Sequence, residues 1–266
     1  MAGKNACRSR ILAMRDPRSI VITGASSGIG AALAKAYAAP GIHLALSGRN
    51  QARLAAVASL CRAAGAAVEE RIVDVRDAEA MARWLADIDS RGPVDLIIAN
   101  AGISAGTGGG GEPPEQARAI FSANLDGVLN TVMPLLPAMQ QRRRGQIAIM
   151  SSLASFRGFP GAPAYCASKA AVRIWGEALR GDLWDSGLRV SVICPGYIVS
   201  AMTAGNKFPM PMLMEAERAA AIMVRALAAG RARIAFPWPL YFAVWLIALL
   251  PPAWTDSLMR LLPKKY

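Results

Sequence analysis

The sequence predicts a doubly wound α/β domain, with about seven parallel strands covered by helices on both faces. Two observations carry that reading. Short apolar runs alternate with helical stretches of roughly ten or more residues from Ser19 to Phe236, the pattern of βαβ units. A glycine-rich turn, Gly24 to Gly30, joins the first apolar run to the first helix.

The elements follow in order. Ser19-Ile20-Val21-Ile22-Thr23 is apolar and ends at a glycine, as a strand buried on both faces does. Gly28 to Ala39 is an alanine-rich helix stopped by Pro40-Gly41, a proline and a glycine being the usual terminators. Ile42 to Ser47 is the second strand, and Gln51 to Ala64 a helix closed by Gly65. Ala67 to Val73 is the third strand, Ala78 to Ser90 a helix, and Val94 to Ala99 the fourth strand. Ile147 to Met150 and Val190 to Ile193 repeat the strand pattern, with helices near 115–140 and 163–185 between. Ile234 to Phe236 is a further short strand. Gly106 to Gly111 holds five glycines in six residues and reads as a surface loop. No linker or repeat interrupts the pattern. Residues 19–236 therefore read as one domain, preceded by a basic arm over 1–18 and followed by an apolar and basic extension over 237–266.

Composition narrows the possibilities. Hydrophobic residues make up 54% against 18% charged, enough for a sizeable core. The net charge of +12 is concentrated at the ends: residues 1–19 and 231–266 each carry five Lys/Arg against one Asp. Such an excess attracts nucleic acid, anionic lipid or anionic cofactors. No nucleic-acid motif accompanies it, and Arg142-Arg143-Arg144 reads as a cationic helix end, so no nucleic-acid partner is expected. Four cysteines without CxxC spacing and a single histidine argue against a zinc site and for reduced thiols in the cytoplasm. Met1 to Ser19 lacks the apolar stretch of a secretory signal.

Thr23-Gly24-Ala25-Ser26-Ser27-Gly28-Ile29-Gly30 lies between a strand and a helix. Glycines there let the backbone approach a pyrophosphate, and the helix start offers unpaired N–H groups and positive potential. The expected ligand is therefore a dinucleotide. At the end of the second strand, where an acid would bind a ribose 2′-hydroxyl, the chain reads Ser47-Gly48-Arg49-Asn50. Arg49 can pair with a 2′-phosphate, so NADP is expected over NAD. Asp74-Val75 stands at the end of the third strand, where Asp74 can accept from an adenine amine. Asn100-Ala101-Gly102 closes the fourth strand with residues small enough for a cofactor to lie on the sheet edge.

Tyr165 and Lys169 stand four apart on a helical stretch, with Ser152 thirteen residues before the tyrosine. Positions i and i+4 share a face. A cation beside a phenol favours the phenolate and lowers a pKa normally about 10, which suits proton transfer near neutral pH. A proton-transfer group and a dinucleotide turn in one chain point to carbonyl–alcohol redox chemistry.

Together these segments resemble the short-chain dehydrogenase/reductase family in its single-domain form, closely over about 19–203 and more loosely to 236. The resemblance rests on Gly24-x-x-x-Gly28-x-Gly30, Asn100-Ala101-Gly102, Asn124, Ser151-Ser152, Tyr165-x-x-x-Lys169 and Pro195-Gly196, in the family's order. It implies a Rossmann fold and a set of roles. Tyr165 would be the general acid and base, and Lys169 would lower its pKa and bind the nicotinamide ribose. Ser152 would polarise the substrate carbonyl, and Asn124 would hold a helix distortion and a proton-relaying water. Pro195, Gly196 and Ile198 would flank the nicotinamide. Ser200 stands where the family often has threonine. A homodimer or homotetramer, built on the two long helices, is also implied. The competing reading is a non-catalytic NADP-binding sensor or scaffold on the same fold.

On the substrate side, Tyr197 to Glu215 reads as a flap carrying Met202, Met210, Met212, Met214 and Phe208. Methionine is apolar and adaptable, so a hydrophobic ketone or aldehyde is expected. Leu240 to Leu250 is apolar throughout, with Trp238, Trp245 and Trp254 in or beside it. It is too short to span a bilayer, which takes about 20 residues. It must be buried at a subunit interface or pocket rim, or lie shallowly in a membrane with help from Arg260, Lys264 and Lys265.

Overall fold

The computed structural model describes residues 17–107, 110–206 and 208–261. The basic arm expected over 1–18 falls almost wholly outside them, as do Lys264 and Lys265. Seven parallel strands form one sheet: β1 (Ser19–Ile22), β2 (His43–Gly48), β3 (Ala67–Ile72), β4 (Leu96–Ala99), β5 (Gly145–Met150), β6 (Leu188–Pro195) and β7 (Arg233–Phe236). Their spatial order is β3-β2-β1-β4-β5-β6-β7. Chain direction across the sheet reverses between β1 and β4, and at such a switch point the loops leaving the strand ends part to leave a crevice.

The strands are apolar on both sides because both sides are covered. Ile20, Ile22, Leu44 and Leu46 face one way, onto α1 (Gly28–Tyr37), α2 (Gln51–Ala63) and α9 (Ala216–Ala228) through Leu33, Leu54, Met223 and Leu227. Val21, Ala45, Ile97 and Ile147 face the other way. They pack on α3 (Ala78–Arg91), α5 (Gly127–Val132), α6 (Leu136–Arg142) and α7 (Pro163–Asp182) through Trp84, Val132, Met139 and Val172. The period-two split of one apolar run into two cores is what a doubly wound sheet requires. Asn50 and Asp77 cap their helices by accepting from the Arg53 and Ala80 amides, each at 2.9 Å. The edge strand β3 is instead charged, with Glu69 and Glu70 paired to Arg91 and Arg62, which discourages pairing with another chain.

One expected helix is not continuous. The run near 115–140 consists of α4 (Pro114–Phe121), a π-helical turn at Ser122–Asp126, then α5 and α6. Pro134 and Pro137 lack the N–H that would carry the helix past 132, and the π turn centres on Asn124. By length and composition Pro114–Arg142 would suffice to cross a membrane, but half of its apolar window is buried in the fold, and it packs as core. The three arginines ending α6 each have a partner: Arg142 on Asp89, Arg143 on the Asp185 carbonyl, Arg144 on the buried Asp95.

A single turn, α8 (Ala201–Ala204), follows β6, and beyond β7 the chain continues as α10 (Trp238–Leu249) and α11 (Pro252–Leu261). Leu240, Tyr241 and Val244 of α10 pack on Leu153, Val192 and Cys194, so the extension is joined to the domain through a small core of its own.

Candidate active site

Thr23 ends β1 and organises the switch point. The amides of Asn100 and Ala101 donate to its Oγ1 at 3.1 and 3.2 Å. Asn100 Nδ2 in turn donates to the Thr23 and Gly24 carbonyls at 3.0 and 3.3 Å. The asparagine thus clamps the glycine turn against the end of β4. Gly24 has φ of 68°, and a Cβ at Gly30 would sit 2.2 Å from the Gly24 carbonyl oxygen, so α1 comes closer to the turn than any side chain allows. Ser27, the N-cap of α1, makes no side-chain capping bond, which leaves the first-turn amides facing the cleft. These features suit a bound phosphate group.

The cleft above the strand ends encloses about 910 Å³. Of the catalytic and cofactor-binding residues expected from the sequence, all but Gly30 and Asn124 line it: Gly24, Ser26, Ser27, Gly28, Ile29, Arg49, Asp74, Val75, Asn100, Ala101, Gly102, Ser152, Tyr165, Lys169, Pro195, Gly196, Ile198 and Ser200. Gly30 and Asn124 support it from behind. Asn124, fully buried, accepts from the Ile103 amide at 2.7 Å and donates to the Ile103 carbonyl and Ser168 Oγ, each at 3.0 Å. The π turn presents this amide, which holds the β4–α4 loop in place. A Cβ on Gly102 would lie 2.9 Å from Asn124 Oδ1 and 3.2 Å from Lys169 Nζ, so the cleft wall tolerates nothing larger there.

At one end of the cleft stand Ser152, Tyr165 and Lys169. Ser151 Oγ donates to the Lys169 carbonyl at 2.8 Å and fastens α7 to β5. Ser152, its neighbour, borders the cavity as well, and its Oγ accepts from the Ala154 amide at 3.1 Å. Lys169 Nζ is buried, donates to the Met150 carbonyl at 3.0 Å and lies 6.0 Å from the Tyr165 ring centroid. The electrostatics differ from the expectation of a phenol made acidic by its neighbour. Burial raises the Tyr165 pKa above its ordinary value, opposed by the nearby Ser152 hydroxyl. Burial also lowers Lys169 to about 8. The ammonium sits over the ring and is turned towards a backbone carbonyl, so desolvation outweighs its attraction for a phenolate.

At the other end, Arg49 and Arg53 line the cleft beside Ser47 and Gly48. Arg53, in the first turn of α2, is a cleft residue the sequence reading missed. Asp74 is less available than expected, because Arg76 binds its carboxylate through both oxygens, the shortest contact being 2.6 Å. That pairing first, and Arg49 more weakly, lower the Asp74 pKa.

The wall beyond Tyr165 is apolar. Phe159, Tyr197, Phe208, Leu240 and Val244 line it with Met202. Of the four flap methionines only Met202 does so: Met214 is buried in the core and Met212 faces outward. Cys166 also borders the cavity, its thiol accepting from the Phe159 amide at 3.4 Å and raised in pKa by burial. Among the described residues no cluster of His, Cys, Asp and Glu is placed to hold a metal.

Comparison with known proteins sets this cleft in context. A family profile described as short chain dehydrogenase matches residues 18–208. An uncharacterised oxidoreductase of Myxococcus xanthus is 39% identical over 244 residues, covering 91% of this chain and 96% of that protein. A ketoacyl reductase of Nostoc is 32% identical over 198 residues, 74% of this chain and 69% of that protein. A short-chain dehydrogenase of Sphingobium yanoikuyae solved with NADPH superposes with a TM-score of 0.77 at 26% identity, covering 92% of this chain and 96% of that one. One from Mycobacterium paratuberculosis solved with NAD gives 0.75 at 27%, covering 82% and 95%.

Proposed function

Since the chain belongs to the short-chain dehydrogenase family, we propose that it is an NADP-dependent oxidoreductase interconverting an apolar ketone or aldehyde and its alcohol. The observation that carries the reading is the meeting of Ser152, Tyr165 and Lys169 at the apolar end of a cleft whose other end is a glycine turn and two arginines.

The glycine turn and the first amides of α1 hold the pyrophosphate. Asp74 and Val75 border the adenine, and Pro195, Gly196 and Ile198 the nicotinamide. Once bound, the cofactor supplies or accepts a hydride. The remaining chemistry belongs to the chain. Ser152 donates a hydrogen bond to the substrate oxygen and fixes its position. Tyr165 gives that oxygen its phenolic proton in reduction and takes it back in oxidation. Lys169 supplies positive charge beside the phenol and binds ribose hydroxyls, while Asn124 holds the adjoining loop and a relaying water.

Two charge arguments favour NADP. No carboxylate stands free at the end of β2 to repel a 2′-phosphate, and Arg76 neutralises the nearby Asp74, leaving Arg49 and Arg53 to pair with that phosphate. The apolar lining by Phe159, Phe208, Leu240 and Val244 favours a hydrophobic substrate. Residues 19–236 form the catalytic unit, and 237–266 complete the substrate wall through α10. The enzyme acts as a homodimer or homotetramer in the cytoplasm.

The test is a Tyr165→Phe variant. Its turnover falls by about 10²- to 10⁴-fold, the range for loss of a positioned general acid, while the thermal stabilisation by NADPH persists. Turnover equal to wild type sinks the assignment. Stabilisation by NADPH with no turnover in the wild type itself would identify a sensor instead.

A further inference from the structure

The outer face of α10 has no role in the cleft. Trp238, Phe242, Trp245 and Leu249 recur at i, i+4, i+7 and i+11, a single stripe on a helix, and all are exposed, Trp238 by 72% and Leu249 by 61%. Phe242 and Trp245 stack with centroids 6.0 Å apart. Trp254, on α11, is exposed by 76%. The inner face is committed: Leu240, Tyr241 and Val244 pack on Leu153, Val192 and Cys194, and Arg233 bonds the Tyr241 hydroxyl at 3.3 Å while pairing with Glu177. The helix is therefore held to the domain by one side and offers an apolar, indole-rich ridge on the other.

We propose that this ridge seats the protein on the surface of an anionic lipid bilayer. Twelve residues make a helix of about 18 Å, short of the ~30 Å hydrocarbon core, so it cannot span. From Pro237 to Thr255 no residue carries a charge. A specific protein partner would need polar groups to set its register, and the ridge offers only indole N–H groups, whereas lipid needs none. Three tryptophans fit the polar–apolar boundary, where an indole buries its ring and keeps its N–H wet. In sequence Asp256, which pairs with Arg157, is followed by Arg260, Lys264 and Lys265, and basic residues beside an apolar surface are drawn to anionic headgroups. An ordinary interfacial helix turns a charged face to water. Here the domain covers that face, so the helix needs no charge of its own.

A second consequence rests on the apolar-substrate reading. Leu240 and Val244 of the same helix line the cleft, so seating the ridge brings the substrate end within one helix diameter of the lipid.

Flotation of the full chain with vesicles of phosphatidylcholine alone, or with added phosphatidylglycerol, tests the docking without reference to turnover. The expected result is recovery with the anionic vesicles, binding there at least about tenfold stronger than to phosphatidylcholine. A Phe242→Glu, Trp245→Glu, Leu249→Glu variant should lose that recovery and keep the basal turnover of a water-soluble carbonyl. Brominated lipids should also quench wild-type tryptophan emission, a measurement that stands if the variant fails to fold. Absence of both flotation and quenching overturns the proposal. So does a halving of particle mass by light scattering in the variant without vesicle binding by the wild type, because the ridge would then join two copies.

Discussion

At the scale of single residues, the side chains of the cleft divide into those that face it and those that hold them. Ser151 and Ser152 both border the cavity, yet the Ser151 hydroxyl donates to the Lys169 carbonyl while the Ser152 oxygen accepts from the Ala154 amide. The family resemblance points to Ser152, thirteen residues before Tyr165, and neighbouring side chains of an extended chain point to opposite sides. The pKa values were not legible in the same way. Spacing places an amine near a phenol, but the sign of the shift depends on burial. Lys169 makes this testable. Its folded pKa, about 8, lies below the ordinary lysine value, so the unfolded chain binds its proton more tightly. The lysine therefore costs stability below about pH 8, and stability recovers as pH rises towards about 10.5. A Lys169→Met variant without cofactor should melt higher than wild type at pH 7, with the gap closing by pH 10.5. Equal melting temperatures throughout would mean that the ammonium is well solvated. The raised Tyr165 pKa predicts that reduction holds its rate across neutral pH while oxidation climbs with pH. Substituting both Arg49 and Arg53 by alanine should weaken NADPH by about ten- to a hundredfold and leave NADH unchanged, since charge-assisted hydrogen bonds are worth about 1.5–3 kcal/mol. Equal losses for both cofactors would place the two arginines elsewhere.

At the scale of elements, the strands and the glycine turn were readable because period and punctuation are local. The π turn has no local signature of that kind, and only the family resemblance implied a helix distortion at Asn124. It is held by bonds between Asn124 and the Ile103 backbone groups, a partner 21 residues away. The expected single helix over 115–140 failed at the same place and at Pro134. Asp95, which accepts from the Arg18 and Ser19 amides and pairs with Arg144, pins three segments together and left no local signature. The turn itself yields a sharp expectation. A Cβ at Gly30 would meet the Gly24 carbonyl at 2.2 Å, and overpacking of this kind costs about 1–3 kcal/mol. Gly30→Ala should lower the melting temperature by several degrees and abolish the stabilisation by NADPH, with the circular dichroism spectrum retained. Full cofactor stabilisation in that variant would show that the turn can open without losing its ligand.

At the scale of the whole molecule, the sheet order puts the glycine turn, the basic pair and the tyrosine end along one crevice. The parallel sheet, with its strand order reversing between β1 and β4, brings residues as distant in sequence as Gly24 and Gly196 to the same cavity. The order of motifs made that arrangement legible in advance. The role of the C-terminal extension was left open because a helix apolar on all sides does not say which side is buried. Packing shows which side that is: Val244 turns inward and Trp245 outward. A ligand that binds only the native state stabilises it in proportion to its affinity, so NADP should raise the melting temperature more than NAD at equal concentration. The most direct measurement is consumption of NADPH, against NADH, over a series of carbonyls graded from small and polar to long and apolar. The predicted result is NADPH oxidation matched by alcohol formation, with kcat/KM rising along the series. NADPH that binds and is never consumed by any member would contradict it.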